Sequence, residues 1–278
     1  MRVTLTEKII TYIILGIMTL IVIFPFYWAF INSIKTPKDI FGNKWIPFLQ
    51  FDPTLQNWKE ELSIESNLMA LKNSLIVASL TTLFSLALGT MVAFALSFFR
   101  YKGFFKNVDI YIFFLTQRIL PPSVVLIPIF VMMKTLHLLD SVWALILVYT
   151  AFNVPLVIVI MREMFKSIPV EVIEAATVDG ASWKQSLLRI VIPLSAPGLI
   201  SVALIVFAFA WNELLFALSL TYMKAKTMTV VIAGAQHTRG TEFWYIGVRS
   251  LLVMTIPVII SIFAQRYLVK GLTLGALK

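Results

Sequence analysis

Residues 167–194 read SIPVEVIEAATVDGASWKQSLLRIVIPL. The stretch carries charges of both signs, yet long apolar runs flank it on either side. Pro169 suits a first helical turn, where its missing N–H is not needed. Val170 to Val178 reads as helix apart from its β-branched residues, and Gly180 can end it in a left-handed conformation. Ser182 can cap a second short helix running to about Ile192, with Pro193 stopping it. Helix, glycine turn, helix and proline is more structure than a connecting loop needs. The segment reads as one that grips a partner.

Working outward, the flanks are membrane spans. The chain has 278 residues, 59% hydrophobic, with a mean hydropathy of +0.90. Soluble domains are about 45–50% apolar, and here the excess lies in long uncharged runs. Six spans are predicted, at about 9–31, 73–99, 108–133, 141–161, 196–220 and 246–264. They are continuous apolar runs, unlike the alternating strands of a β-barrel. Gly89 and Ala93 form a small-xxx-small pair that lets another helix approach closely. Arg2 and Lys8 precede the uncharged stretch Ile9–Ile34, which is too long for a signal-peptide core and lacks a small-x-small cleavage site. It reads as a retained first span.

Orientation follows from lysines and arginines at span ends. Arg100, Lys102 and Lys106 crowd the short loop after the second span, and Arg266, Lys270 and Lys278 mark the tail, 265–278. Placing both in the cytoplasm puts both termini inside, the 32–72 loop outside and the 162–195 loop inside. The outer loop, with Trp45, Pro47, Pro53 and Trp58, is expected to form a compact cap with aromatic anchors. The net charge of +9 is accounted for by these span-end residues and calls for no nucleic acid. The absence of cysteine excludes disulfides, thiol catalysis and thiolate metal sites. His137 and His237 sit far apart in predicted loops and make no metal-ligand spacing.

Glu174-Ala175-Ala176, three residues, Gly180, nine residues, Ile190, one residue and Ile192-Pro193 resemble the EAA loop of ABC importer permeases; Ile192 stands where leucine is usual. The residue types make physical sense beside the resemblance. Small Ala175 and Ala176 let a groove close over the helix, and Glu174 offers a carboxylate to an arginine or a backbone donor. Glu171 shares its helical face, and Asp179-Gly180 makes the sharp turn. Lys184 and Arg189 either contact the partner or are simply solvated near headgroups.

Phe209 to Leu218, read FAWNELLFAL, is similar to a fifth-span stretch of maltose-type carbohydrate-uptake permeases. The ending Gln265 to Lys278 is similar to the tail of one of that system's two permeases, with Leu274 and Leu277 departing. The resemblance implies an all-α integral membrane protein of the type I importer fold, one permease domain over 1–278 in a prokaryotic inner membrane. It implies a second related permease, two cytoplasmic ATPase subunits that hold ATP and magnesium, and an extracytoplasmic solute-binding protein that delivers a carbohydrate or polyol. Glu171, Glu174, Ala175, Ala176, Asp179, Gly180, Ala181 and Pro193 would then couple to the ATPase, and Gly271, Leu272, Gly275 and Lys278 would contact it through the tail.

The chain has no Gly-x4-Gly-Lys-Ser/Thr loop, so ATP is expected to be bound by another protein, and no cofactor bound directly is expected. Arg118, Asn212 and Glu213 lie within apolar spans, where a charge costs about 2.5–3.5 kcal/mol on insertion scales. Either they line a solute path, or Arg118 pairs with Glu213, or Arg118 satisfies backbone groups at the Pro121–Pro122 break. Trp143, Tyr149 and Trp211 either stack on a sugar face or pack and anchor helices. A competing class is an ion-gradient-driven secondary transporter or channel. That class calls for charged sites at broken helices and often inverted repeats; only Arg118 and Glu213 fit, and no repeat is visible. No Ser/His, His/Asp or metal-ligand set within the spans supports an intramembrane enzyme.

Overall fold

The computed structural model describes residues 4–274 apart from 235, 238 and 239, with side chains described over 4–234 and 242–265. In chain order the helices are α1 (Leu5–Ser33), α2 (Pro37–Ile40), α3 (Gln56–Ser63), α4 (Glu65–Phe98), α5 (Asn107–Gln117), α6 (Pro122–Thr135) and α7 (Val142–Phe165). Then come α8 (Val170–Val178), α9 (Trp183–Ser186), a π-helical turn (Leu187–Val191), α10 (Ile192–Leu194), α11 (Ala196–Trp211), α12 (Leu215–Leu220) and α13 (Met228–Ala233). A two-residue antiparallel pairing, Gln236 to Thr241 and His237 to Gly240, precedes α14 (Phe243–Leu274).

Among the described residues four helices are long and apolar enough to cross a membrane, and two bent pairs bring the total to six if each is one span. The third span breaks where the Pro121–Pro122 pair interrupts it, and the fifth is preceded by a second bend. Residues 107–117 and 122–135 meet at 90°, because Pro121 and Pro122 both lack the N–H that would continue the ladder. The fifth run is interrupted again after Trp211. There the Glu213 carboxylate accepts N–H groups from Phe216 (2.9 Å) and Ala217 (3.1 Å) and starts α12 afresh.

The chain forms two compact units, 1–68 with 231–256 and 69–230 with 257–278. In the first, Thr4 and Glu7 close a capping box at the start of α1. Its C-terminal end is tied by Asn57, whose Nδ2 donates to the carbonyls of Ser33 (2.9 Å) and Lys35 (2.8 Å), and by Trp58 Nε1, which donates to Ser33 Oγ at 3.1 Å. Ile31, Ile34 and Phe51 form the small core beneath this cap. Lys35 is buried over the rings of Trp28 and Phe51, and burial holds its pKa below the usual lysine range against the opposing pull of Asp39. Gly247 brings α14 against α1: a Cβ there would lie 2.8 Å from the Ser33 nitrogen.

In the second unit α7 is the centre. Ala93 and Phe94 of α4, Val157, Met161 and Phe165 of α7, Leu187 and Val191 of the π turn, and Val202 and Val206 of α11 make one buried cluster. The small-residue pair on α4 meets α7. A Cβ at Gly89 would lie 2.6 Å from Val157 Cβ, so only glycine permits this approach.

Candidate functional site

The 167–194 segment forms the expected helix over Val170–Val178, with Pro169 one position outside it as the N-cap rather than in the first turn. Gly180 has φ +80°. Ala181 N–H donates to Ala176 O (2.9 Å) and Gly180 N–H to Thr177 O (3.0 Å), the paired bonds of a Schellman cap. Ser182 and Gln185 then form a capping box for the second helix.

That helix does not stop at Pro193. A proline leaves the carbonyl four residues back without a donor and crowds it. Here the preceding turn widens, with Ile192 N–H donating to Leu187 O across five residues, and the helix continues through Leu194. The chain bends at Ser195 instead, by 83°.

Sequence and packing divide the faces of α8. Ala176 is buried and Ile173 packs against the central cluster. Glu171, Glu174, Ala175, Asp179 and Gly180 are exposed. Neither Glu171 nor Glu174 bonds to another described side chain or backbone group through its carboxylate. Val170, Glu174, Val178 and Trp183 border a groove of about 570 Å³ whose floor includes Phe94, Phe98 and Phe99 at the end of α4. Asp179, Gly180, Ala181, Gln185 and Arg189 line a smaller hollow of about 230 Å³. The arrangement is a short helix with one face on the core of the spans and the other, acidic and small-residue face open. Phe165, Leu187 and Val191 connect that helix directly to α7 and α11. Gly271 and Leu272 fall in the last turns of α14, where side chains are not described, and Gly275 and Lys278 lie outside the described residues.

The intramembrane polar residues separate into distinct environments. Arg118 caps α5 at the bend, donates from Nη1 to Phe152 O at 3.2 Å, and lies 5.4 Å over the Phe209 ring. The carbonyl it takes belongs to α7 in the turn before Pro155, where the helical ladder is loosened. Among the described residues Arg118 forms no ion pair with Glu213, whose carboxylate is engaged with the first turn of α12. Asn212 is exposed and donates from Nδ2 to Ala208 O. Trp211 is 2% exposed and stacks on Phe207 at 5.6 Å, so it serves helix packing and faces no open path in this conformation. Tyr149 is buried too, whereas Trp143 is half exposed at the N-terminal end of α7. Two hollows, about 350 and 600 Å³, flank the α5–α6 break and share Gln117, Ala151 and Pro155.

Two organising groups escaped the sequence reading. Asp140, at φ +56°, accepts N–H groups from Tyr222, Met223, Lys224 and Ala225 at 2.9–3.1 Å. Burial opposes its charge, but the backbone donors prevail and hold the carboxyl below its usual range. Asn73 and Ser74 fasten the same loop through Lys224 O, Lys226 O and Met228 N. The other is the Glu61–Arg249 pair. Asp140 directly before an N-capping serine was a usable signal for the first; nothing local marks the second.

Residues 85–273 match the family model described as "Binding-protein-dependent transport system inner membrane component". The chain is 35% identical over 282 residues to the trehalose/maltose transport system permease protein MalG of Thermococcus litoralis, covering 100% of this chain and 99% of that protein. It is 35% identical over 259 residues to the trehalose transport system permease protein SugB of Mycobacterium tuberculosis, covering 91% and 92% respectively. A crystal structure of a bacterial ABC transporter involved in the import of the acidic polysaccharide alginate contains a chain with the same fold. Its TM-score is 0.80 at 22% identity, over 96% of this chain and 99% of that one. The MetNI methionine ABC transporter in an inward-facing form aligns with TM-score 0.60 at 16% identity, over 76% and 98%.

Proposed function

Because this chain belongs to the family of binding-protein-dependent transport system inner membrane components, with the type I ABC importer permease fold, we propose that it imports a carbohydrate or polyol as one permease of an ATP-driven complex. The sugar class rests on the trehalose and maltose relatives. The complex contains a second, related permease, two ATPase subunits carrying ATP and magnesium, and a solute-binding protein that delivers the solute. All of 1–278 acts as one permease domain, with both termini in the cytoplasm.

The observation that carries the coupling role is the open acidic face of α8 backed by the span core. Closure of the ATPase pair on ATP moves α8, and Phe165, Leu187 and Val191 pass the displacement to α7 and α11. Glu171, Glu174, Ala175, Ala176, Asp179, Gly180 and Ala181 form the contact, and the Pro193 region carries the motion to the bend at Ser195. Such a switch requires the nucleotide to bind the closed state more tightly than the open one. The tail residues Gly271, Leu272, Gly275 and Lys278 form the second ATPase contact. Arg118, Asn212 and Glu213 mark the helix breaks around which the path opens, with Trp211 packed behind them.

Replacing Glu174 by Arg in the whole complex tests this. The expected result is loss of ATPase co-purification and of uptake while the two permeases remain paired. Uptake that continues after every ATPase subunit is removed would overturn the reading.

A further inference from the structure

Helix α1 is uncharged between Lys8 and Lys35, and no residue of its apolar window is buried among the described residues. One loop folds back onto it. The Trp45 ring lies 4.9 Å from that of Trp28 and 6.1 Å from that of Phe24, and Tyr27 Oη donates to Trp45 O at 2.6 Å. At the other end of the loop Phe51 is buried on Ile31 and Ile34. From Phe24 to Ile34 is about 15 Å along a helix, so Trp45–Phe51 runs beside the last stretch of an apolar span. The loop, WIPFLQF, contains no charge.

The loop is built rather than slack. Gln50 Oε1 accepts N–H groups from Trp45 and Ile46, Gln50 N–H donates to Ile46 O at 3.0 Å, and Phe48 N–H donates to Phe51 O at 2.9 Å. These bonds hold Phe48 at φ +64°, a conformation a bulky residue rarely adopts. The result is two large apolar side chains turned away from the protein: Phe48 is 83% exposed and Leu49 81%. An outlier of this kind persists only where surrounding bonds enforce it, and it is commonly tied to a working surface.

We propose that Trp45–Phe51 is a membrane-interface anchor in which Phe48 and Leu49 enter the lipid at the boundary of headgroups and acyl chains. Three observations favour lipid over a protein partner. The loop is continuous with the exposed apolar face of α1. Trp28, Tyr27 and Trp45 form the amphipathic aromatic cluster that settles at that depth. The side chains at the tip, Pro47, Phe48 and Leu49, carry no charge and no hydrogen-bonding group of the kind a polar protein partner would engage. The inference holds for either orientation of the chain.

The absence of cysteine makes the test direct. The complete importer, with partner cysteines replaced, is reconstituted in phosphatidylethanolamine–phosphatidylglycerol vesicles with a nitroxide at Phe48→Cys, Leu49→Cys or Lys59→Cys. At 48 and 49, dissolved oxygen should relax the label several-fold more than a water-soluble nickel chelate, and Lys59→Cys should show the reverse order. Nickel accessibility at 48 and 49 equal to that of Lys59→Cys overturns the proposal. So does shielding from both reagents, which marks burial against a neighbouring subunit, and so does shielding that appears only with the binding protein. Phe48→Trp is an independent arm: brominated lipid should quench most of the emission it adds over the parent, and unquenched added emission is a negative result.

Discussion

Arg249 grips Glu61 with two bonds, Nη2 to Oε1 at 2.7 Å and Nε to Oε2 at 2.8 Å, and Asn67 donates a third at 2.8 Å to the same carboxylate. Glu61 is 1% exposed. The pair ties α3 to the first turns of α14. Removing one partner strands the other charge, which costs about 3–5 kcal/mol. Glu61→Ala should therefore lower the thermal midpoint of the purified permease markedly. Glu61→Ala combined with Arg249→Met should recover much of the loss, since no buried charge is then left alone.

Asp140 sets an acid limit on the 222–225 loop it fastens. Its carboxyl is held below the usual range, so its contribution is fully present above the unfolded value of about 3.9 and is lost as pH falls through the lower folded value. Stability traced to this group should be flat from neutral pH down to about 4 and should fall below that. Asp140→Asn should flatten the acid limb and lower neutral-pH stability by about 1.5–3 kcal/mol, the range for hydrogen bonds to a charged group. Pressure-free thermal scans across pH read both effects.

Two helical glycines should respond differently to the same methyl group. At Gly89 the new Cβ would meet Val157 Cβ at 2.6 Å and Val154 O at 3.2 Å, atoms close to or within the backbone. Gly89→Ala must push α4 off α7, at about 1–3 kcal/mol, and Val157→Ala should recover little of it, since alanine keeps the Cβ that makes the closest contact. At Gly198 the clash is with Met164 Cε and Sδ, the free end of a flexible chain, while Cγ stays 3.7 Å away. Gly198→Ala should be nearly neutral, because the thioether can swing aside. Paired melting curves decide it.

Gly180 has open space around it, so its substitution probes conformation alone. At φ +80° alanine should cost about 1–2 kcal/mol of local stability. Asparagine, which tolerates the left-handed region better, should cost less. Assembly of the ATPase on the permease pair should weaken in the order Gly, Asn, Ala, Val, while pairing of the two permeases is unchanged.

Arg118→Ala separates the roles left open for that residue. Loss of the bond to Phe152 O should loosen the α5–α6 bend and reduce assembly. Solute-stimulated ATPase in the complexes that still form then reports on the path, and normal stimulation would show that Arg118 is structural.

The α8 segment was legible because its determinants are local. Caps, a glycine at a left-handed position and helix-forming residues act within a few positions of one another. The bends were less so. Pro121–Pro122 marks a break but sets no angle, and Pro193 proved compatible with a helix that widens before it. Pairings between distant residues were illegible: Arg118 takes the Phe152 carbonyl, not Glu213, because tertiary placement brings α7 to it first. Arg249 likewise finds a carboxylate nearly two hundred positions away. The carbohydrate class came from likeness to relatives, not from a recognisable sugar-binding constellation.

The π turn at Leu187–Val191 makes the segment sensitive to length as well as to composition. A five-residue hydrogen-bonded step takes up one residue more than an α-helix requires. Deleting a single residue there would let the turns close toward an α-helical ladder, with the carbonyl four residues before the proline left without a donor. Everything on the far side, Trp183, Gly180 and the acidic face of α8, would then be rotated by about 100° about the helix axis. The segment would fold, yet present the wrong side: a frame error written in angle rather than in chemistry.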